Sequence, residues 1–192
     1  PRLYNDKIMK TKIAVFFGGR STEHEISVIS ANQAINAINR DKYDVVPVYI
    51  SKDGKWYTGD ELLDLTKYRN IPELLKKCEN VYMRPEFGEY NLYYAEPKGL
   101  FKNKNIAAKI DVVIPVLHGA NGEDGTFEGI LDSIGIPYAG CDTLSSANGM
   151  DKITMKMILR ESGIPVVDYE WFTDRQWFAR RDAITAKIEE RL

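Results

Sequence analysis

The sequence predicts an α/β fold built on a small, doubly wound parallel sheet. Two short apolar runs, residues 12–17 and 111–117, are typical of strands buried on both faces, and each is followed by a glycine-containing loop and a helical pattern. This alternation of strand, loop and helix continues to Gly149 and is typical of parallel sheets. Residues 150–192 then carry a helix, a strand and a helix, which is too little for a finished sheet.

These patterns divide the chain into three parts. Residues 1–9 show no periodicity and are interpreted as an upstream remnant or a frayed end. Residues 10–149 predict a first domain, and residues 150–192 predict the beginning of a second, incomplete one. In this last part we expect a helix from Met150 to Gly163, a strand at residues 166–172 and a charged helix over residues 174–192 whose inward face is Trp177, Phe178, Ile184 and Ile188.

Composition limits the possible functions. The 192 residues are 44% hydrophobic and 28% charged, as in an ordinary soluble globular protein. A net charge of −2, without basic clusters among the aromatic residues, argues against nucleic acid as a partner. No apolar run approaches the roughly 20 residues that span a bilayer, and the N-terminal segment does not resemble a signal peptide. We therefore expect no membrane association and a cytoplasmic location. Cys78 and Cys141 form neither a disulfide framework nor a zinc motif.

The first strand–loop–helix unit begins at residue 12. The strand over residues 12–17 ends at a pair of glycines. Thr22 and Glu25 have the spacing of a capping box, which predicts that Glu25 closes the box at the start of the helix. The helix is expected to reach about Asn39. Its predicted inward face consists of Ile26, Ile29, Ile35 and Ile38.

The middle of the chain is less regular. Residues 44–50 predict a second strand, in which Pro47 favours an edge position or a bulge. Between Gly59 and Lys109 the pattern weakens and predicts short helices near residues 61–67 and 72–78 and strands near residues 81–83 and 90–94. The aromatic residues of this stretch fit core and hairpin packing better than a dimer surface.

The strand over residues 111–117 begins a second strand–loop–helix unit. It leads through a loop at residues 118–125 into a helix over residues 126–134 that Gly135 closes. A short strand at residues 136–140 and a short helix capped by Asp142 or Thr143 complete the unit.

Functional residues are predicted where these two parallel strands end. Ligands bind open parallel sheets beyond the carboxyl ends of strands whose crossovers go to opposite faces. The first loop presents Gly18, Gly19, Ser21, Glu23 and His24, and the second presents three glycines with His118, Glu123 and Asp124. Glycines bring backbone close to a ligand and the ionisable groups supply charge. A tight turn with solubilising acids explains the second loop equally well.

Each ionisable residue has a structural alternative. Glu23 is expected in the first turn of its helix, where the dipole favours a carboxylate, so it is either an ammonium-binding group or a partner of the dipole. His118 is a hydrogen-bond donor to a carboxylate, a proton carrier or a satisfied half-buried side chain. The sequence has no nucleophile elbow, no Walker A lysine and no complete dinucleotide fingerprint.

Four short motifs in order resemble those of D-alanine–D-alanine ligases: GGRSTEHEIS at residues 18–27, HGANGEDG at 118–125, SA at 146–147 and MDK at 150–152. The resemblance runs from about Lys10 to the end of the chain. It implies a Rossmann-like pre-ATP-grasp domain over residues 10–149 that binds substrate, followed by the start of the central, α+β ATP-grasp domain. It also implies a cytoplasmic homodimer that serves peptidoglycan synthesis.

The resemblance further implies residue roles. Glu23 would hold the ammonium of the first D-alanine, with Gly18, Gly19 and Ser21 lining the substrate site, and His118 would lie beside the substrate carboxylate. Lys152 would reach a phosphate of ATP. The substrate carboxylate attacks the γ-phosphate, and a second D-alanine displaces phosphate from the acyl phosphate, commonly with two Mg²⁺. No metal ligand is predicted within these residues, and the chain alone is expected to have no turnover.

Two departures from the family pattern follow the second loop, because the chain has Phe127 and Glu128 where an aliphatic residue and a glutamine are usual. Three other functions stay open. The first is a resistance-type ligase of the same fold that takes D-serine or D-lactate second, which the segment at residues 140–146 resembles in part. The others are a non-catalytic domain that binds a small anion at helix N-termini and a dimerisation fragment.

Overall fold

The computed structural model describes residues 10–96 and 105–191, so the predicted upstream remnant at residues 1–9 lies outside the described residues. The chain divides after Ala147 into two compact units. The first unit contains strands β1 (Thr11–Gly18), β2 (Tyr43–Ile50), β3 (Trp56–Thr58), β4 (Glu79–Met83), β5 (Asn91–Tyr94), β6 (Ile106–Lys109) and β7 (Val112–Leu117), with helices α1 (His24–Ala37), α2 (Ile71–Leu75) and α3 (Thr126–Ile134). Helix α4 (Thr143–Met150) crosses the division, and α5 (Lys152–Glu161) and α6 (Asp174–Arg191) lie in the second unit.

The described strands form one mixed sheet in the order β6-β5-β4-β3-β2-β1-β7. Strand β1 pairs in parallel with β2 on one side and β7 on the other, as expected for the two strand–loop–helix units. The strands from β3 to β6 continue the sheet as an antiparallel meander. The predicted α/β class is confirmed, and the parallel part is three strands wide because the weakly patterned middle of the chain adds hairpins rather than crossovers.

Both faces of β1 are buried, which explains its continuous apolar run. Its odd-numbered side chains, such as Val15 and Phe17, pack with the inner face of α1. Its even-numbered side chains, such as Phe16, pack with α3 residues that include Leu131. Because successive side chains of a strand point to opposite faces, the sheet must be covered on both sides, and α1 and α3 provide that cover.

The two crossovers lie on opposite faces of the sheet, so a topological switch point lies between β1 and β7. The first passes from β1 through α1 to β2, and the second from β7 through α3 to an isolated parallel bridge between Val113 and Tyr138. This bridge is all that forms of the predicted strand at residues 136–140. The carboxyl ends of β1 and β7 are neighbours, with Gly18 paired to Leu117, and this is the place where open α/β sheets have their ligand-binding crevice.

Helix α1 differs from its prediction at its start and on its buried face. It begins at His24, Glu23 is its N-cap residue, and no side chain caps it, so the predicted capping box is wrong. Ile26 and Ile29 are 54% and 43% exposed, whereas the buried positions are His24, Ser27, Val28, Ala31, Asn32 and Ile35. The prediction failed because three of those buried residues are polar and are accommodated by hydrogen bonds.

Other local predictions also change. Pro47 lies in an inner strand and not at the predicted edge. It comes just before Val48, the first residue of β2 that pairs with β3, so its missing N–H interrupts no pair with β3. In the second unit, residues 166–172 form no strand, α6 is kinked at Arg180, and Phe178 is exposed. Within residues 10–96 and 105–191, no helix has the length and apolar character to cross a bilayer.

Candidate functional site

The turn after β1 is built to bring backbone close to its neighbours. Gly18 and Gly19 have φ of 92° and 94°, and a Cβ on Gly18 would lie 2.3 Å from the carbonyl oxygen of Ile50. The Gly18 N–H donates to Ser27 Oγ at 2.8 Å and the Gly19 N–H donates to Ile50 O at 2.8 Å. Both amides are therefore used within the fold, and the two glycines shape the crevice rather than offering N–H groups to it.

Ser21 joins the first loop to the second. Its hydroxyl donates to the carbonyl oxygen of His118 at 2.7 Å and accepts from the Glu23 N–H at 3.1 Å. The Asn121 side chain adds a second link by donating to Arg20 O at 3.3 Å. These bonds hold the predicted substrate residues of both loops in one place at the carboxyl ends of β1 and β7.

Glu23 is exposed at the rim of this crevice, and its carboxylate makes no cap bond to α1. A Cβ built on Gly119 would be 3.5 Å from Glu23 Oε2, so the carboxylate lies directly against the second loop. Glu25, the predicted second half of the capping box, instead forms an ion pair with Lys52 at 2.5 Å on the surface. The Lys52 ammonium lowers the pKa of the Glu25 carboxyl. Neither acid is used to cap α1.

The second loop is ordered by its own carboxylates. Glu123 Oε2 accepts from the Gly119 N–H at 2.7 Å, and Asp124 accepts from the Asn121 N–H at 2.8 Å. Asp124 also accepts from the N–H of Thr126 at 3.0 Å, at the start of α3. Partial burial opposes ionisation of Asp124, but the bonds from Thr126 and Asn121 hold the pKa of its carboxyl below the usual value. The acids of this loop are structural as well as solubilising.

His118 lies half-buried between this loop and α1. Its Nε2 is 3.0 Å from Ser30 Oγ, and its Nδ1 is 4.0 Å from Glu123 Oε1. Ligand atoms of Glu23, His118 and Glu123 all lie within 4.8 Å of one another. Two carboxylates around one imidazole make a negative site suited to an ammonium group or a cation. We call these three residues the acidic cluster.

The structure therefore brings Gly18, Gly19, Ser21, Glu23 and His118 to one crevice. Sequence reasoning noted the charge of Glu123 but did not assign it to the site, and it missed Ser30. Ser30 lies two helical turns after the N-cap residue Glu23 and therefore on the same side of α1, and this spacing was the signal that could have found it.

Lys152 lies in the second unit, where it is exposed and begins α5. The Asp151 side chain caps this helix by accepting from the Thr154 N–H at 2.6 Å. A lysine in the first turn of a capped helix adds its charge to the positive end of the helix dipole, which suits an anion such as phosphate.

Comparison with known proteins adds a family relationship. A family model described as the D-ala D-ala ligase N-terminus matches residues 12–141. The chain is 44% identical over 162 residues to the D-alanine–D-alanine ligase of Thermosipho melanesiensis, covering 84% of this chain and 43% of that protein. It is 41% identical over 187 residues to that of Acetivibrio thermocellus, covering 95% and 50%. The chain thus spans about half the length of the curated relatives it matches.

Two solved structures are similar to nearly the whole of this chain and to about half of their own length. The VanG D-Ala:D-Ser ligase of Enterococcus faecalis gives a TM-score of 0.73 at 35% identity and covers 96% of this chain and 50% of its own. The D-alanine–D-alanine ligase of Coxiella burnetii gives a TM-score of 0.76 at 30% identity and covers 93% and 49%.

Proposed function

The chain belongs to the D-alanine–D-alanine ligase family, and on that premise we propose that its crevice binds the first D-alanine of an ATP-dependent ligation that gives D-alanyl-D-alanine. The observation that carries the proposal is the acidic cluster, in which Glu23, His118 and Glu123 converge at the switch point of the sheet. A free amino acid presents an ammonium and a carboxylate, so its site needs an anion and a hydrogen-bond donor close together.

Glu23 is the residue we assign to the substrate ammonium. Its carboxylate lies at the rim of the crevice, and its backbone is fixed through Ser21. A charge-assisted hydrogen bond of this kind is worth about 1.5–3 kcal/mol. His118 would serve the substrate carboxylate, because it is held from one side by Ser30 and borders the same space. Gly18, Gly19 and Ser21 would support the site through the backbone shape of the first loop.

ATP is the expected co-substrate, and it supplies the phosphoryl group that activates the D-alanine carboxylate. We assign Lys152 to its phosphates because the position at the start of α5 favours an anion. We do not assign Mg²⁺ to the acidic cluster. Mg²⁺ prefers oxygen ligands in a near-octahedral arrangement, and this cluster includes an imidazole.

A homodimer is supported by an exposed apolar surface in the first unit. Ile26 and Ile29 on α1 and Leu65 beside it are all at least 43% exposed. Exposed clusters of this kind usually mark interaction sites. We expect Ile29→Glu to convert the protein to monomers in sedimentation equilibrium, whereas Ile130→Glu, on the exposed side of α3, leaves the oligomeric state unchanged. A dimer that survives Ile29→Glu would remove this surface from the proposal.

The broader role we propose is cytoplasmic and belongs to peptidoglycan synthesis, without a nucleic-acid or membrane partner. A D-serine-using ligase is the second candidate, favoured by the similarity to the VanG D-Ala:D-Ser ligase. The third is a non-catalytic domain that binds a small ligand in the same crevice.

The test is phosphate release from ATP and Mg²⁺ by the full-length protein that carries this sequence, with D-alanine alone and then with D-serine or D-lactate added. Turnover with D-alanine alone supports the dipeptide ligase, and extra turnover with a second acceptor supports the resistance type. Glu23→Gln should raise KM for D-alanine at least tenfold, which corresponds to about 1.4 kcal/mol. Glu25→Gln, two residues away and on the surface, is the matched control and should change nothing.

No phosphate release under any of these conditions would refute the ligase assignment. Equal KM values for Glu23→Gln and the wild-type protein would remove Glu23 from the substrate site.

A further inference from the structure

His24 is a buried polar residue whose role the proposed function leaves open. It begins α1 and is only 1% exposed, at the boundary between β1 and β2. Its Nδ1 lies 2.7 Å from Gly19 O and its Nε2 lies 3.0 Å from Tyr49 Oη. The ring also packs edge-on against the Tyr49 ring, with centroids 5.4 Å apart. Both nitrogens are therefore engaged in specific contacts.

These contacts determine the tautomer of the imidazole. A carbonyl oxygen can only accept, so Nδ1 must carry the hydrogen that it donates to Gly19. In the neutral ring Nε2 is then an acceptor, and the Tyr49 hydroxyl donates to it. Burial raises the pKa of Tyr49 to about 12, and the nearby acids Glu25 and Asp53 add to the rise, so this hydroxyl keeps its proton.

His24 acts together with Ser27, one helical turn later. Ser27 Oγ accepts from the Gly18 N–H, and its hydroxyl donates to Val116 O in β7. His24 thus ties the glycine turn to β2, while Ser27 ties it to β7. Two side chains from the buried face of α1 fix the end of β1 against both of its neighbours.

The position of Glu23 depends on that turn. Glu23 follows Gly19 by only four residues, and the segment between them includes Ser21, which binds the second loop. If the Gly19 carbonyl were released, the first loop could shift relative to His118. A phenylalanine at position 24 would fill the space without replacing the bond, so a purely apolar core residue would not serve the same purpose.

We propose that His24 is a positioning residue for the ammonium site, because its bond to Gly19 O holds the turn that fixes the Glu23 carboxylate. This inference rests on the proposed function and adds to it a residue that does not touch substrate. It predicts that loss of the Gly19 bond impairs D-alanine binding more than it impairs folding.

The experiment compares variants of the full-length protein that carries this sequence. His24→Phe removes both hydrogen bonds but keeps an aromatic ring in the same place. His24→Asn keeps a side-chain N–H near the Nδ1 position, and Tyr49→Phe removes only the hydroxyl. Asn32→Leu is the matched control, because Asn32 is also buried and polar on the same face of α1, and among the described residues its side chain bonds within the helix, to Val28 O.

We expect His24→Phe to raise KM for D-alanine about tenfold or more, with KM for ATP unchanged within twofold. His24→Asn should restore KM to within about threefold of the wild-type value. Tyr49→Phe should give an intermediate effect, because it leaves Nε2 unpaired but keeps the Gly19 bond. Asn32→Leu should alter the melting temperature without altering KM.

Two results would overturn the proposal. One is a His24→Phe variant whose KM for D-alanine matches that of Asn32→Leu. The other is a His24→Asn variant as impaired as His24→Phe, since the conservative change would then fail to rescue.

A measurement without substrate separates this inference from the proposed function. In ¹⁵N-histidine-labelled protein, with the His24 signals identified by their loss in His24→Asn, we expect the tautomer with hydrogen on Nδ1. The Nε2–H tautomer would overturn the positioning role even if the protein is an active ligase. Absence of ligase activity in the wild-type protein would instead refute the proposed function, and with it the role of His24 at an ammonium site.

Discussion

Glu128 offers the sharpest test of the electrostatics beside the site. It lies in the first turn of α3 and is only 4% exposed, and its Oε2 has no hydrogen-bond partner among the described residues. Burial raises the pKa of this carboxyl above its ordinary value of 4.5, and the charges of Asp124, Asp132 and Glu123 raise it further. Glu128→Gln replaces this titrating group with a neutral one of nearly the same size.

The sign of the pH dependence follows from linkage. In the unfolded chain the carboxyl titrates near 4.5, whereas in the folded protein it titrates at a higher pH. Its contribution to stability is complete below the ordinary pKa and is lost as the pH rises through the raised one. Glutamine does not titrate, so the advantage of Glu128→Gln should grow with pH. Glutamine leaves an uncharged polar group at the same buried position, so the variant recovers only the extra cost of the charge, which we expect to be on the order of 1 kcal/mol at pH 8.

Urea unfolding of both proteins from pH 5 to pH 8 measures this gain as a shift in the midpoint at constant m. The exposed change Glu73→Gln serves as the control and should leave the midpoint unchanged throughout. A stability difference between Glu128→Gln and wild type that stays constant with pH, or a loss of stability at pH 8, would show that the Glu128 charge is compensated.

Three further predictions concern the framework of the site. Leu131→Ala, which empties a fully buried position of α3, should lower the free energy of unfolding by about 2–5 kcal/mol in chemical denaturation, whereas its exposed neighbour Ile130→Ala should change it by less than about 0.5 kcal/mol. Gly18→Ala places a Cβ 2.3 Å from Ile50 O at φ of 92°, so we expect at least about 2 kcal/mol of destabilisation or no folded protein by circular dichroism. Glu25→Ala should lower the free energy of unfolding by less than the roughly 1 kcal/mol that loss of a helix cap costs. A larger loss in a thermal melt would show that Glu25 does cap α1.

The parts of the fold that were predictable are those in which one local pattern decides the outcome. The run that became β1 is apolar at every position from Ile13 to Phe17 because both faces of the strand are covered there. Helix α3 spans the predicted residues because Gly135, with φ of 76°, ends it in the left-handed conformation. The antiparallel meander was harder, since β3 to β6 are three to five residues long and their order depends on pairing between strands. Strand β6 was missed for that reason.

The site was predicted from the ends of two strands, but its internal contacts could not be. The link from Ser21 to His118 O joins residues 97 apart in sequence, and that from Ser30 to His118 joins residues 88 apart. No pattern along the chain encodes such distances. Sequence reasoning could place both loops at one edge of the sheet, because parallel strands end there together, but it could not identify which hydroxyl binds which loop.

The wrong prediction of a capping box is itself informative about the site. A box would have drawn the first-turn side chains back onto the backbone of α1 and would have started the helix earlier. Instead the helix begins at His24, whose side chain is occupied by Gly19 and Tyr49, and Glu25 is occupied by Lys52. Glu23 is left as an N-cap residue whose side chain makes no cap bond, beside the positive end of the helix dipole. A carboxylate that has no hydrogen-bond partner among the described residues, at a fixed backbone position, is what an ammonium-binding site requires, so the absence of the predicted capping box supports the assignment of Glu23.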